Sequence, residues 1–230
     1  GIDKKLELNN VLYGMGDEGQ FAYLQGYCPE DKVKDVETAS ETNGWGIIIE
    51  EPDDPSEVPT LLRNKKPAAW LEPLLKFMGT LPGYHEMDVS FTFLAFFSVF
   101  YAMIIGDAGY GLIFLVGTIF ARIKMKNAPA EPFALFFILS SATLIWGVIT
   151  GTWFGSKAIA ELPFLQPFII ENMYSFNSSE AAAIFMKQFA FVIGAAQLII
   201  GRLLAMSRKL KQPQFLADLG WILVTVFMFF

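Results

Sequence analysis

The chain has 230 residues, 53% of them hydrophobic, 15% aromatic and 17% charged, whereas soluble domains carry roughly 45–50% apolar and about 25% charged residues. Charge is unevenly spread: residues 1–88 hold eight Lys/Arg against seventeen Asp/Glu, a net of −9, while residues 89–230 hold nine against six, a net of +3. An acidic, solvated piece joined to an apolar one excludes a single water-soluble domain and a disordered chain, and the lone Cys28 excludes a disulfide scaffold.

Gly14-Met15-Gly16-Asp17-Glu18-Gly19 matches the dinucleotide spacing G-x-G-x-x-G. That chemistry needs a helix N-terminus after the glycines, with free N–H groups facing a pyrophosphate. Here an aromatic strand, Phe21 to Tyr27, is predicted to follow, and Asp17 and Glu18 repel an anion, so a tight turn is expected. No G-x-x-x-x-G-K-[ST] phosphate loop occurs. Pro29, Glu30 and Asp31 open a predicted helix, Val33 and Val36 share its apolar face, and Asn43-Gly44 ends it. Trp45 to Ile49 is rich in β-branched residues and predicts a second strand. Strand, helix and strand make half of a small α+β sandwich, too short to fold well alone. Glu50 to Pro59, with three prolines, reads as a solvated linker, and Pro59-Thr60-Leu61-Leu62-Arg63-Asn64 leads to a helix around Ala68 to Met78.

Val89 to Ala121 is a 33-residue apolar stretch interrupted by Asp107 and small residues. One spanning helix needs about 20 residues, with 17 tolerable, so the stretch suits two closely joined spans better than one. Gly106, Gly109 and Gly111 in Gly106-Asp107-Ala108-Gly109-Tyr110-Gly111 permit a sharp reversal at its middle. Charge parity agrees: Arg122, Lys124 and Lys126 follow directly, and basic loops stay cytoplasmic. Further spans are expected at 133–154, at 183–206 before Arg208, Lys209 and Lys211, and, incomplete, at 215–230. Gly147, Gly151 and Gly155 recur every four residues, a smooth face for close helix approach, and Gly201 and Ala205 repeat the theme. Pro163 and Pro167 in an apolar external loop suggest an interfacial segment. Asn177-Ser178-Ser179 is a glycosylation triplet of a kind common by chance.

The expected organisation is a multi-span α-helical membrane domain preceded by part of a small α+β cytoplasmic domain. Residues 1–65 form the C-terminal part of the soluble domain, 66–88 a linker with a short helix, and 89–230 the membrane domain. With one cysteine and no signal peptide, the N-terminal piece is placed in the cytoplasm and the whole in the cell membrane. Gly1 is not an initiator Met and the chain stops inside an apolar run, so it reads as part of a longer protein.

Asp107 is the most informative single residue, because a carboxylate at membrane depth is expensive. Two readings stand: a group on an ion path near the external end of the first hairpin, or a cap accepting hydrogen bonds from the free amides of the second helix. Gln197 lies mid-span with a structural hydrogen-bonding role expected. Arg202 either snorkels or pairs with Asp218, and Lys187 snorkels. His85 stands without a second His or a Cys nearby, so neither a metal site nor a cofactor is expected. No Ser-His-Asp or Cys-His set suggests an enzyme active site.

Gly26-Tyr27-Cys28-Pro29-Glu30, Pro59 to Asn64 and the Gly106–Gly111 motif, in this order and spacing, resemble subunit a, called subunit I in prokaryotes, of the V/A-type rotary ATPases. The likeness runs across nearly all of residues 20–230, and the short loops resemble the prokaryotic form. The chain departs from the family at Val89-Ser90, where Pro-Thr is frequent, and at Ile104-Ile105, where Met-Phe is common. The resemblance implies a non-catalytic stator whose cytoplasmic domain holds peripheral stalks. Its membrane domain would face a ring of c subunits across two offset half-channels for H⁺ or Na⁺. The family's essential Arg belongs to a later span, so neither Arg122 nor Arg202 inherits it. Membrane lipid is the remaining partner, and no nucleic acid is expected. The alternative is a secondary transporter with a cytoplasmic regulatory domain, although such proteins often show paired broken helices and only one Gly-interrupted hairpin is found.

Overall fold

The computed structural model describes the chain except residues 1–5, 7–9, 12, 18–21, 55–57, 60, 62–65, 81–86, 208–211 and 230. It divides into two compact units, residues 1–62 with 83–85, and residues 63–82 with 86–230.

In the first unit, β1 (Gly16–Asp17) pairs antiparallel with β2 (Ala22–Tyr23), with Gly16 opposite Tyr23 and Asp17 opposite Ala22. The glycine-rich match therefore runs into a strand, and Glu18, Gly19 and Phe21 lie outside the described residues. A single 3₁₀ turn, Glu30–Lys32, leads into α1 (Val33–Asn43), which Gly44 closes in the left-handed conformation at φ +70°. That is the stop expected at Asn43-Gly44, because glycine adopts this conformation without a Cβ clash. The strand predicted at Trp45–Ile49 does not form among the described residues: the backbone carries no ladder and Trp45, Ile47, Ile48 and Ile49 are exposed. β-propensity describes fit to a neighbouring pleated strand, and no neighbour pairs with this segment.

The second unit is helical. A 3₁₀ turn at Ala68–Leu71 continues into α2 (Glu72–Met78), closed by left-handed Gly79. The long elements are α3 (Ser90–Ile105), α4 (Ala108–Lys124), α5 (Ala130–Thr150), the single turn α6 (Lys157–Ala160), α7 (Glu180–Ser207) and α8 (Gln214–Phe229). Asp88 accepts from the Ser90 amide at 2.9 Å and from its hydroxyl, holding the start of α3. Between Ile105 and Ala108 the helix breaks, so residues 89–121 are two rods rather than one.

The rods reverse direction against α5. Leu94 shares a core with Leu135 and Leu139 of α5 and with Leu71 and Leu75, while Ala108 lies against Gly147 and Gly111 against Leu144. Moving along α5 from Leu135 to Gly147, α3 therefore runs alongside in the same direction and α4 returns in the opposite one. Thr143 is fully buried and Ser140 nearly so, and both donate to carbonyls of their own helix, Thr143 to Leu139 at 2.8 Å and Ser140 to Phe136 at 2.6 Å. Their hydroxyls are thereby satisfied while the side chains stay small at the contact. The Trp146 and Phe189 rings, 5.7 Å apart, join α5 to α7, and Phe191 and Phe229 join α7 to α8 at 5.9 Å.

Among the described residues, two helices, α5 with 21 residues and α7 with 28, are long and apolar enough to cross a membrane; α3 and α8 are apolar but shorter. At about 1.5 Å per residue, a 20-residue helix covers about 30 Å, the thickness of a bilayer core. Large apolar side chains are exposed along all of them, including Ile104, Ile113, Phe120, Ile145, Phe191, Leu203 and Phe227. Water-soluble folds rarely leave such continuous apolar faces uncovered.

Candidate functional site

The break at Gly106-Asp107 concentrates the polar chemistry of the helical unit. Gly106 ends α3 with φ +66°, and its amide donates to the Ala102 carbonyl at 2.8 Å. Asp107 is extended, φ −138° and ψ 124°, and α4 starts at the next residue. Its side chain is buried, 5% exposed. Oδ1 accepts from the Gly109 amide at 2.7 Å and the Tyr110 amide at 3.2 Å, and Oδ2 accepts from the Gly155 amide at 3.2 Å. The first two are the free donors at the start of α4, where the helix dipole also favours a negative charge. The third comes from a loop 48 residues away. The Ala108 amide donates across the same gap to the Thr152 carbonyl at 2.8 Å. One carboxylate thus seals a helix start and clamps the chain leaving α5 onto the tip of the hairpin.

Of the three glycines expected at the reversal, only Gly106 lies in it. Gly109 and Gly111 are inside α4, and their missing side chains permit contact instead. A Cβ at Gly109 would come within 2.5 Å of the Phe154 ring, and one at Gly111 within 2.6 Å of the Leu144 amide nitrogen. Phe154 itself adopts a positive φ of 51°, and its ring meets Tyr110 edge-on at 5.5 Å. Positive φ is costly for a bulky residue, and the slot over Gly109 is what the side chain gains from it.

The Gly147, Gly151 and Gly155 series divides similarly. Gly147 is the packing position, because a Cβ there would overlap the Ala108 backbone, with Cα at 2.6 Å. Gly151 is the left-handed end of α5 at φ +67° and Gly155 a loop residue at φ +65°. α5 therefore stops at Thr150 rather than Phe154.

Beside the clamp lies a short row of hydroxyls that sequence spacing did not reveal. Thr150 Oγ1 lies 3.3 Å from Thr152 Oγ1, which lies 2.6 Å from Ser175 Oγ. The Thr150 carbonyl also accepts from the Ser175 amide at 2.9 Å, tying the connection that follows to the end of α5.

At the other end of the unit, Arg202 of α7 pairs with Asp218 of α8, Nη1 to Oδ1 at 3.3 Å, and its guanidinium stands 5.4 Å from the Trp221 ring centre. This is the pairing the sequence suggested. Asp218 is buried at 6% exposure. Gln197 is half-buried on α7, Lys187 is exposed, and Gly201 faces open space. His85, Arg208, Lys209 and Lys211 lie outside the described residues. Among the described residues no three His, Cys, Asp or Glu groups come close enough to hold a metal ion.

No family model matches the chain. It is 33% identical over 99% of its length to the V-type ATP synthase subunit I of Borreliella burgdorferi, covering 38% of that protein. It is 30% identical over 91% of its length to V-type ATP synthase subunit I 1 of Treponema pallidum, covering 34% of it. The A-type ATP synthase subunit I of Methanocaldococcus jannaschii is 31% identical over 58% of the chain, which covers 20% of that protein. The chain thus spans little more than a third of the length of the first two of these curated relatives. With the Gly106–Gly111 motif forming a capped helix reversal in an apolar helical unit, the chain belongs to the subunit I family of V-type and A-type ATP synthases.

Proposed function

We propose that this chain is part of the non-catalytic stator and ion-path subunit of a V/A-type rotary ATPase. In this reading residues 1–65 belong to a cytoplasmic α+β stator domain that engages peripheral stalk subunits, and residues 66–88 link it to the membrane. Residues 89–230 contribute five crossings, the last incomplete, to a multi-pass domain in the cell membrane facing a ring of c subunits. Movement of H⁺ or Na⁺ between that domain and the ring is coupled to ATP hydrolysis or synthesis in the soluble head.

The observation that carries the reading is the capped reversal at Gly106-Asp107 among helices whose apolar faces are turned outward. It allows two short rods where a single rod would put Lys124 and Asp88 on opposite sides. The even number of crossings leaves residues 1–88 and the basic Arg122–Lys126 connection in one compartment, as the bias of basic loops requires. For Asp107 itself, backbone amides engage both oxygens, Oδ1 at the start of α4 and Oδ2 at Gly155, so we assign it to the cap and clamp rather than to the ion path.

The direct test is purification of the full-length protein from its native membrane. Recovery with c-ring and ATPase head subunits is the expected result. A protein recovered alone that takes up a solute without ATPase subunits would overturn the proposal in favour of a secondary transporter.

A further inference from the structure

The connection from α5 to α7 is a folded element with exposed apolar side chains. Its second half is tied to the last turn of α5: the Ile170 amide donates to the Ile149 carbonyl at 3.0 Å, and the Ser175 amide to that of Thr150 at 2.9 Å. Within it, Gln166 Nε2 donates to the Ala160 carbonyl at 2.9 Å and Asn177 Nδ2 to that of Glu171 at 3.2 Å. Ala160, Leu165 and Met173 point inward and are buried. In two Pro-Phe pairs, Pro163-Phe164 and Pro167-Phe168, the rings are exposed, Phe164 to 66% and Phe168 to 62%. Proline fixes φ and so holds each aromatic residue on a stiff stretch of backbone. The charged groups of the segment flank this stretch, Glu161, which pairs with Lys157 of α6 at 3.5 Å, on one side and exposed Glu171 on the other.

We propose that residues 162–170 form a membrane-interface foot, with Phe164 and Phe168 inserted at the headgroup–acyl boundary of the lipid surface where α5 ends. The proposal rests on the membrane reading above. Lipid is the occupant because the segment is hydrogen-bonded to the end of α5 and continues into α7, the two helices with the length and composition to cross a bilayer. A patch fixed at that height stands where the hydrocarbon gives way to headgroups, the level at which interfacial segments bury Phe and Leu side chains. An apolar patch flanked by carboxylates that can stay among the headgroups suits that boundary better than water.

The test uses the intact complex in phosphatidylcholine–phosphatidylglycerol liposomes, in a background where every native cysteine, Cys28 included, is serine. Single cysteines replace Phe164, Phe168, Ile145 or Glu161, each carrying a nitroxide. Collision with oxygen, which dissolves in lipid, is compared with collision with a water-soluble nickel chelate. The expected result is an oxygen-to-nickel ratio at positions 164 and 168 several-fold above that at 161 and approaching that at 145. If 145 reads as lipid but 164 and 168 match 161, or are shielded from both reagents by protein, the foot is overturned and the membrane reading stands. If 145 itself reads as water, the membrane reading fails and the foot with it.

Discussion

Asp107 accepts three backbone amides with two oxygens, and each acceptor has a separable cost of loss. Asp107→Asn keeps one carbonyl oxygen for Gly109 and Tyr110 but puts an amide nitrogen where Gly155 now donates. Losing that bond costs about 1 kcal/mol. Asp107→Ala leaves all three amides without the carboxylate and removes the cap, which costs about 3 kcal/mol. Thermal unfolding of the purified protein should therefore rank wild type above Asn and Asn well above Ala. Because the charge is used for capping, the Asn variant of the whole complex is expected to assemble and to pump ions with ATP at close to the wild-type rate. Intact assembly with pumping abolished would move Asp107 from the cap to the ion path.

At the level of elements, the α4–α5 contact depends on Gly147. A methyl group there overlaps the Ala108 backbone, which cannot retreat without breaking its bond to Thr152 and the Asp107 cap beside it. Gly147→Ala is expected to destabilise by about 3 kcal/mol, the upper part of the range for overpacking. Gly117, on the same hairpin, has open space around its Cβ position. Gly117→Ala should be neutral or stabilising by up to about 1 kcal/mol through helix propensity, and melting temperatures of the two variants decide it. The α7–α8 pair makes a second case. Breaking a fully buried ion pair costs about 3–5 kcal/mol. Arg202 is 45% exposed at its side chain, so Arg202→Leu should cost less, about 1–2 kcal/mol. Adding Asp218→Leu should recover most of that loss, which a double-mutant cycle on unfolding midpoints reads directly.

These elements show what a linear sequence exposes. Helix ends set by one residue were legible: Gly44 stops α1, and the pause at Gly106-Asp107 separates α3 from α4. The pairing of Arg202 with Asp218 was legible because short range and opposite charge in apolar surroundings leave few partners. The glycine series was misleading, since regular spacing does not distinguish a helix face from a helix end. Gly147 packs, whereas Gly151 and Gly155 carry positive φ, and α5 ends four residues early for that reason. The Gly155 amide on Asp107 and the Thr150–Thr152–Ser175 hydroxyls had no local signal at all. They are brought together by the fold of the connection between α5 and α7, across as many as 48 residues.

For the whole molecule, the proposed topology assigns compartments, and compartments can be measured. If α3, α4, α5 and α7 each cross the bilayer, Asn127 lies on the same side as Cys28, and Asn177 on the opposite side. A membrane-impermeant maleimide applied to sealed vesicles of one orientation then labels Cys28 and a cysteine at Asn127 together, and one at Asn177 only after the bilayer is opened; vesicles of the other orientation give the reverse. Asn127 follows Arg122, Lys124 and Lys126, whose charges resist transfer across the bilayer. Asn177 lies in the connection hydrogen-bonded to the end of α5, about 30 Å along the helix from the Asn127 side. Labelling of Asn127 and Asn177 from the same face would mean that α5 does not cross, and labelling of Cys28 and Asn127 from opposite faces would mean that α3 and α4 make one crossing between them. Either result removes the parity on which the stator orientation depends, because the soluble domain would no longer share a compartment with the basic connections.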